Sequence, residues 1–246
     1  MKKVTLLVAA ALLAAVPAFG AQLLNETFSY ANGSITAVSA GLWANHSGTP
    51  LQMQIVGGEV ELVETGALSE DANRAHAAAQ GKVYACLEAR LTSTNVPAFD
   101  NYFAHFRTSA NPFNFRSRVF VAPFPAAAPT GFTFGLAATS SGTTPTVPWG
   151  VGLNFGQTYR IVHSYDPADG STQLWVNPVS EASASITSAA AAAAGETIDS
   201  YAFRQSSGNW TLRVDNLTVG ETFSEVCDGA TPASSSSWGR LKTLYR

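Results

Sequence analysis

The sequence is poor in the residues that most often carry nucleophilic catalysis or bind transition metals. It has two cysteines and four histidines among 246 residues, with no His-x-x-x-His pair and no closely spaced cysteine pair. Gly-x-Ser-x-Gly and glycine-rich phosphate loops are absent as well. These absences argue against a zinc site, a hydrolase of the nucleophile-elbow type and nucleotide binding.

Charge is sparse too. Charged residues make up 13% of the chain, the net charge is −3, and no run of like charges occurs. A nucleic-acid-binding domain needs a dense basic face. The composition therefore argues against a nucleic-acid partner.

The only long apolar run lies at the N-terminus. Lys2 and Lys3 precede an apolar stretch at residues 4–16, and small residues follow it. The stretch is shorter than the about 20 residues that span a bilayer, and no later run is longer. We predict a signal peptide over residues 1–20, cleaved before Ala21, and hence a secreted or cell-surface protein without a membrane span.

Residues 21–226 form a series of short segments rich in β-branched and aromatic residues, separated by Gly, Pro, Ser and Thr. The predicted strands are 24–30, 52–56, 59–63, 82–91, 101–107, 116–122, 131–136, 158–165, 171–177 and 209–219. This spacing predicts an all-β domain, an antiparallel β-sandwich of the jelly-roll kind. The alanine-rich stretch 185–194 could form a short helix by propensity, but it lacks an amphipathic face and is interpreted as a surface excursion.

Residues 227–246 change in character. A serine-rich linker leads to the ending WGRLKTLYR, which is basic and aromatic. We interpret this C-terminal tail as a recognition tag read by a sorting machine; the alternative is a frayed terminus without a role.

The two cysteines leave a question open. Cys86 lies in the middle of a predicted strand, and Cys227 follows the last one. An oxidising compartment permits a disulfide. Two separate thiols, with Cys86 as a small core residue, are equally compatible with the sequence.

Paired carboxylates are the signature of glycoside hydrolysis. Glu59 and Glu61 share one face of a predicted strand, but they follow a Gly-Gly turn, where a solvated edge explains them as well. We assign no catalytic residue, and the sequence favours a non-catalytic protein.

Calcium is a candidate structural ion, and no other cofactor is indicated. Glu26 near the start of the domain and Asp215 near its end would lie close together if the terminal strands pair. Carboxylate oxygens suit this hard cation. The alternative is that Asp215 belongs to the polar face of a strand.

Sugar sites combine aromatic rings with a few polar groups. Trp149 lies in a predicted loop within Pro-Trp-Gly and is the best stacking candidate, and Trp43 also lies near a loop. Arg116 and Arg118 share one face of a predicted strand and could make bidentate contacts. The alternative for the arginines is a solvent-facing role that restrains edge pairing.

Several segments occur in a characteristic order: LLNETFSY at 23–30, LWANHSGT at 42–49, EDANR at 70–74, VYA at 83–85, YFAHF at 102–106, RSRVFV at 116–121, FTFGL at 132–136 and LRVDNLTVG at 212–220. Together they resemble a family of secreted bacterial modules with a concanavalin A-like lectin/glucanase jelly roll. The resemblance implies that fold and a place in surface or secreted proteins. It implies no catalytic residue, since the family has none established. The ending SWGRLK resembles short tails of other exported bacterial proteins.

Three functional hypotheses remain. The leading one is an exported, non-catalytic, lectin-like module that binds glycan or another extracellular polymer. The alternatives are a structural or self-assembling protein of the cell surface or matrix, and a glycoside hydrolase or lyase.

Overall fold

The computed structural model describes residues 22–124, 131–139, 142, 144–190 and 196–227. The predicted signal peptide (1–20) and, except for Cys227, the predicted linker and tail (227–246) lie outside the described residues. The elements are β1 (Gln22–Glu26), β2 (Gly33–Ser34), α1 (Ile35–Val38), β3 (Ala44–Ser47), β4 (Gln54–Val56), β5 (Glu59–Glu64), β6 (Asp71–Ala75), β7 (Val83–Leu91), β8 (Asn101–Thr108), β9 (Asn111–Pro123), β10 (Phe132–Ala137), β11 (Val147–Pro148), β12 (Thr158–Tyr165), β13 (Ser171–Val176), β14 (Ile186–Ala189), β15 (Ser200–Arg204), β16 (Trp210–Gly220) and α2 (Phe223–Cys227).

The strands form two antiparallel sheets. The nine-stranded sheet has the order β14-β13-β12-β7-β16-β5-β4-β2, with β1 also paired to β16. The seven-stranded sheet has the order β11-β10-β9-β8-β15-β6-β3. Hairpin pairs such as β8–β9 and β4–β5 alternate with pairs distant in sequence, such as β7–β16 and β8–β15, as expected for a jelly roll. The prediction of an antiparallel β-sandwich is confirmed.

The hairpin β4–β5 illustrates how local sequence sets the strands. Gly57 and Gly58 have φ of +65° and +84°, a conformation that a two-residue turn requires and that glycine adopts without steric cost. In β5 every second side chain then faces the core, so that Val60 and Leu62 are fully buried. The residues between them, such as Glu61, point to the outer face of the nine-stranded sheet.

The core between the sheets is rich in aromatic rings. Trp43 stacks on Phe203 with ring centroids 5.4 Å apart, and Phe28 packs against both rings. Burial of such large apolar side chains is the main stabilising term of the sandwich.

A polar cross-link also runs through the core. His163 of β12 lies 2.9 Å from the Ser117 hydroxyl through Nδ1 and 2.9 Å from the Tyr201 hydroxyl through Nε2. Burial lowers the pKa of His163 to about 3, so the ring is neutral and joins the two sheets by hydrogen bonds. Although Ser and His are in contact, both are fully buried, and no substrate can reach them.

The alanine-rich stretch 185–194 is described over residues 185–190 only. Its described part contains the edge strand β14, which pairs with β13. Ser188 of β14 is buried, while Thr187 is exposed. The described residues of this stretch therefore form a strand at the sheet edge and not a helix, and residues 191–194 of the alanine run lie outside them.

Candidate functional site

One end of the seven-stranded sheet carries a pocket with a volume of about 430 Å³. Strand β8 begins there at Asn101, β9 ends at Pro123 and β10 begins at Phe132, because neighbouring strands run antiparallel. The segment 144–150 closes one side. The lining residues are Asp100, Ala122, Pro123, Phe124, Thr133, Pro145, Pro148, Trp149 and Gly150.

The segment that carries Trp149 is fixed to β10 by hydrogen bonds. The Trp149 amide donates to the carbonyl of Phe134 at 2.8 Å. The Thr133 hydroxyl lies 2.7 Å from the carbonyl oxygen of Trp149 and 2.9 Å from that of Val151. These contacts on both sides of the tryptophan hold its backbone in place before any ligand arrives.

Close packing adds to this rigidity. A Cβ atom at Gly135 would lie 2.6 Å from the Cβ of Pro145, so that only glycine lets the segment lie directly on β10. Three of the lining residues are prolines, whose φ angles are fixed. The pocket is therefore preorganised, which lowers the entropic cost of binding.

The pocket combines an aromatic ring with an acid. Trp149 is half-buried, so one part of its indole remains accessible. Asp100 is also half-buried, and burial raises the pKa of its carboxyl group. An indole can stack on an apolar face of a ligand, and a carboxylate can accept hydrogen bonds from its hydroxyl groups.

The other predicted ligand contacts do not line this pocket. Trp43 is 1% exposed, and its indole Nε1 donates to Glu26 Oε2 at 3.1 Å in the core. Its proposed role in stacking on a ligand is therefore wrong. Its position near a loop was a poor guide because its ring fills the gap between the sheets.

Arg116 and Arg118 do not act together on one face. Ser117 has a φ of +50°, and β8 and β9 shift register beside it. Arg116 donates to Glu196 at 2.7 Å and lies near the Tyr165 ring. The expectation of a shared face is wrong because this irregularity interrupts the alternation of side chains.

Arg118 is 1% exposed, and its guanidinium binds backbone carbonyls that follow strand β10. It donates to the carbonyls of Thr139 at 2.5 Å and Gly142 at 3.0 Å. Its guanidinium also lies 4.8 Å from the Tyr102 ring, whose centroid is 4.3 Å from the Arg204 guanidinium. Arg118 thus fixes residues 139 and 142 to strand β9 and is not among the residues that line the pocket.

Glu26 and Asp215 do not form a common cation site. The register places Glu26 opposite Leu217, and the Glu26 carboxylate points into the core. Asp215 pairs with Glu88 and is half-buried on the other side of the sheet. The predicted calcium pair is wrong because the two side chains lie on opposite faces. Within the described ranges, no group of three or more His, Cys, Asp or Glu side chains is arranged to hold a metal ion.

Glu59 and Glu61 of β5 form ion pairs with Arg213 on the neighbouring strand β16 and with Arg90 on β7, the next strand beyond it. Arg213 contacts Glu61 at 2.9 Å and Glu59 at 3.3 Å, and Arg90 contacts Glu59 at 2.7 Å. The arrangement is a cross-strand ladder of ion pairs on an outer face. Pairing of this kind accounts for both carboxylates as parts of the sheet.

Glu64, the last residue of β5 in the nine-stranded sheet, is a buried acid that contacts Asn101 at the start of β8 in the other sheet. Its Oε2 accepts hydrogen bonds from the Asn101 amide at 2.5 Å and from the Ser206 backbone at 2.8 Å. Burial raises the pKa of Glu64 to about 8, above the usual value of 4.5. The side chain is therefore protonated at neutral pH.

This raised pKa predicts a pH dependence of stability. The folded state holds a proton that the unfolded state releases above pH 4.5, so stability from Glu64 is full below that pH and is lost as the pH rises through 8. Between pH 6.5 and 8 this contribution of Glu64 to the free energy of unfolding should fall by up to about 1.4 kcal/mol per pH unit. The four histidines, whose pKa values are lowered, are common to wild type and Glu64→Gln, so the difference in slope between the two proteins isolates Glu64. Urea titrations should show that the free energy of unfolding changes more favourably with rising pH in Glu64→Gln than in the wild type. An unchanged slope in the variant would contradict the assignment.

Of the residues that line this pocket, Trp149 is a ligand contact predicted from the sequence, whereas Asp100 and Thr133 are not. Asp100 directly precedes a strand and Thr133 lies within one, and neither carries a motif. They reach the pocket through strand pairing between β8, β9 and β10. The available signals were weak: Asp100 adjoins the predicted strand 101–107, and Thr133 alternates with the core residues Phe132 and Phe134.

Comparison with known proteins identifies a fold but no family. No protein-family model and no curated protein matches the sequence. Among solved structures, the lectin from Bauhinia forficata in complex with GalNAc is 10% identical, with a TM-score of 0.51, covering 81% of this chain and 99% of the lectin. A sialidase is 13% identical with a TM-score of 0.49 over 82% of this chain, which spans only 19% of the sialidase.

The lumenal domain of VIP36, in a Ca²⁺/Man3GlcNAc-bound form, is 11% identical with a TM-score of 0.45, covering 78% of this chain and 89% of that one. Identities this low show the fold alone. The fold is that of the concanavalin A-like, legume-lectin type of jelly-roll sandwich. In the part of the chain that the structure describes, no helix has the length and apolar character needed to cross a membrane.

Proposed function

We propose that this protein is an exported, non-catalytic, lectin-like module that binds glycan or another extracellular polymer through the pocket at Trp149. The observation that carries the proposal is the pocket itself, of about 430 Å³, in which an indole, a carboxylate and rigid apolar walls converge. Binding pockets commonly combine a mostly apolar lining with a few polar groups that fix the ligand's orientation.

A sugar ring matches this lining chemically. Its C–H groups form an apolar face that can lie on the Trp149 indole, while its hydroxyl groups form a polar edge. The Asp100 carboxylate can accept hydrogen bonds from two adjacent hydroxyls. Because Thr133 already fixes the Trp149 backbone, little further ordering is needed when the sugar binds.

Two further observations support the proposal. The lectin from Bauhinia forficata, which shares the fold, was solved in complex with GalNAc. The N-terminal sequence has the charge, apolar length and small residues of a signal peptide, which would bring the domain to extracellular polymers. We propose secretion or cell-surface display on this basis, with the C-terminal tail as a sorting signal.

Affinity electrophoresis tests the proposal with the mature protein in gels that contain one polysaccharide each. We expect at least one polysaccharide to retard the protein. Trp149→Ala should weaken that interaction about tenfold, a loss of about 1.4 kcal/mol, because the stacking surface is removed. Trp149→Phe should retain part of it.

Phe113→Ala is the matched control, since Phe113 is 75% exposed and is not a pocket residue. It should migrate like the wild type on the same polysaccharide. Equal losses in both variants would contradict a specific role for the pocket. Absence of retardation across a broad panel would remove the glycan proposal and favour the self-assembling alternative.

A further inference from the structure

The short helix α2 (Phe223–Cys227) packs on the outer face of the nine-stranded sheet. Phe223 contacts the Trp175 ring at a centroid distance of 5.4 Å and the Tyr84 ring at 6.2 Å. This second apolar cluster lies apart from the core between the sheets. Its members are Tyr84, Cys86, Val162, Trp175, Phe223, Val226 and Cys227.

Both cysteines of the chain belong to this cluster. In β7, Ala85 and Leu87 point into the core between the sheets, so Cys86 points to the opposite face, which α2 covers. Cys86 is 3% exposed and Cys227 is 5% exposed, and the two thiols are hydrogen-bonded to each other. No third cysteine exists in the chain to compete for either partner.

We infer that Cys86 and Cys227 are a site of oxidation to an intramolecular disulfide that fastens α2 to strand β7. The co-reactant is a disulfide-bearing oxidant of the dithiol-oxidase or glutathione type. One cysteine thiolate attacks this disulfide and releases one donor thiol, forming a mixed disulfide. The second cysteine attacks the protein sulfur of the mixed disulfide and releases the other donor sulfur as a thiol. Two electrons pass to the donor, and the two protons lost by the protein balance those taken up by the donor.

The surroundings determine when this reaction can occur. The hydrogen bond with Cys227 and the burial of the site raise the pKa of the Cys86 thiol well above its usual value. Because the thiolate is the reactive form, the two thiols react slowly with a disulfide oxidant while α2 is docked on the sheet. Exchange therefore takes place before α2 docks, and the finished bond is then shielded from reductants by the rings of Trp175 and Phe223.

The bond has a structural consequence at the end of the domain. A helix as short as α2 has little stability of its own and depends on its contacts. The disulfide closes a loop from residue 86 to residue 227, which restricts the unfolded chain. It would hold the point from which the C-terminal tail leaves the sandwich. This inference does not depend on glycan binding, since the Trp149 pocket lies on the other sheet.

The full mature chain tests the inference, and the experiment needs no glycan. Protein refolded in a glutathione redox buffer is denatured, alkylated with N-ethylmaleimide and weighed by mass spectrometry. We expect no alkylated cysteine after oxidation and two after reduction with dithiothreitol. A non-reducing digest should yield the peptides of Cys86 and Cys227 joined to each other. Two alkylated cysteines after oxidation, or a disulfide-linked dimer, would overturn the inference.

Thermal melting provides the second readout, with Cys86→Ala/Cys227→Ala as the control variant. The oxidised wild type should melt on the order of 10 °C above the reduced wild type. The double variant should melt near the reduced wild type and should not respond to dithiothreitol. An equal response of the double variant to dithiothreitol would show that the effect does not come from this bond.

Discussion

Trp43→Ala should lower the free energy of unfolding by about 3–5 kcal/mol, the range for removing a fully buried tryptophan. The ring is 1% exposed, stacks on Phe203 at 5.4 Å and packs against Phe28 at 5.9 Å. Its indole also donates to Glu26, so that truncation removes one of that carboxylate's hydrogen bonds. Urea denaturation followed by circular dichroism measures the loss.

The comparison with Trp149→Ala separates the two tryptophans. Trp149 is half-buried at a pocket, and its replacement should change stability far less than that of Trp43. Trp43→Phe, if folded, should retain glycan binding, because it preserves an aromatic ring in the core. A Trp43→Ala protein with unchanged stability and lost glycan binding would restore the direct ligand role that the structure excludes.

Glu26→Ala is the second substitution with a large expected effect, again about 3–5 kcal/mol, because it leaves a largely buried cation without its partner. The carboxylate forms an ion pair with Arg74, whose side chain is 17% exposed. It also accepts hydrogen bonds from the Phe28 amide at 2.9 Å, the Tyr30 hydroxyl at 2.7 Å and the Trp43 indole at 3.1 Å. Urea denaturation at neutral pH gives the magnitude.

Glu59→Ala is the matched control for Glu26. Glu59 also pairs with arginines, but its side chain is 25% exposed on an outer face. Its loss should cost about 1 kcal/mol or less, as for other exposed ion pairs. If Glu26 were instead a calcium ligand, EDTA would lower the melting temperature of the wild type. The arrangement of Glu26 predicts no such change, and a small cost for Glu26→Ala would contradict its structural role.

Much of the fold was accessible from the sequence because strand alternation and turn residues are local signals. The hairpin at Gly57-Gly58 and the long strand β7 were predicted in this way. The strands β6 (Asp71–Ala75) and β15 (Ser200–Arg204) were not predicted. They pair with each other although residues 76–199 lie between them, and their sequences DANRA and SYAFR lack a clear alternation.

The candidate site was less accessible because it depends on register. Trp149 could be singled out by its place in a proline-rich loop. Asp100 and Thr133 join it only because β8, β9 and β10 are neighbours in one sheet. The prediction that Arg116 and Arg118 share one strand face failed for a related reason. The left-handed conformation of Ser117, which interrupts the alternation, cannot be recognised from the pattern of residue types.

Nuclear magnetic resonance of the tryptophan indoles during a glycan titration tests the central claim most directly. The ligand for the titration is an oligosaccharide fragment of the polysaccharide that retards the protein. The Trp149 indole signal is assigned as the one that disappears from the spectrum of Trp149→Phe. We predict that this signal shifts on titration, whereas those of the buried Trp43, Trp175 and Trp210 stay in place. An unmoved Trp149 signal, with the glycan bound and shifts elsewhere, would contradict the assignment of the pocket as the binding site.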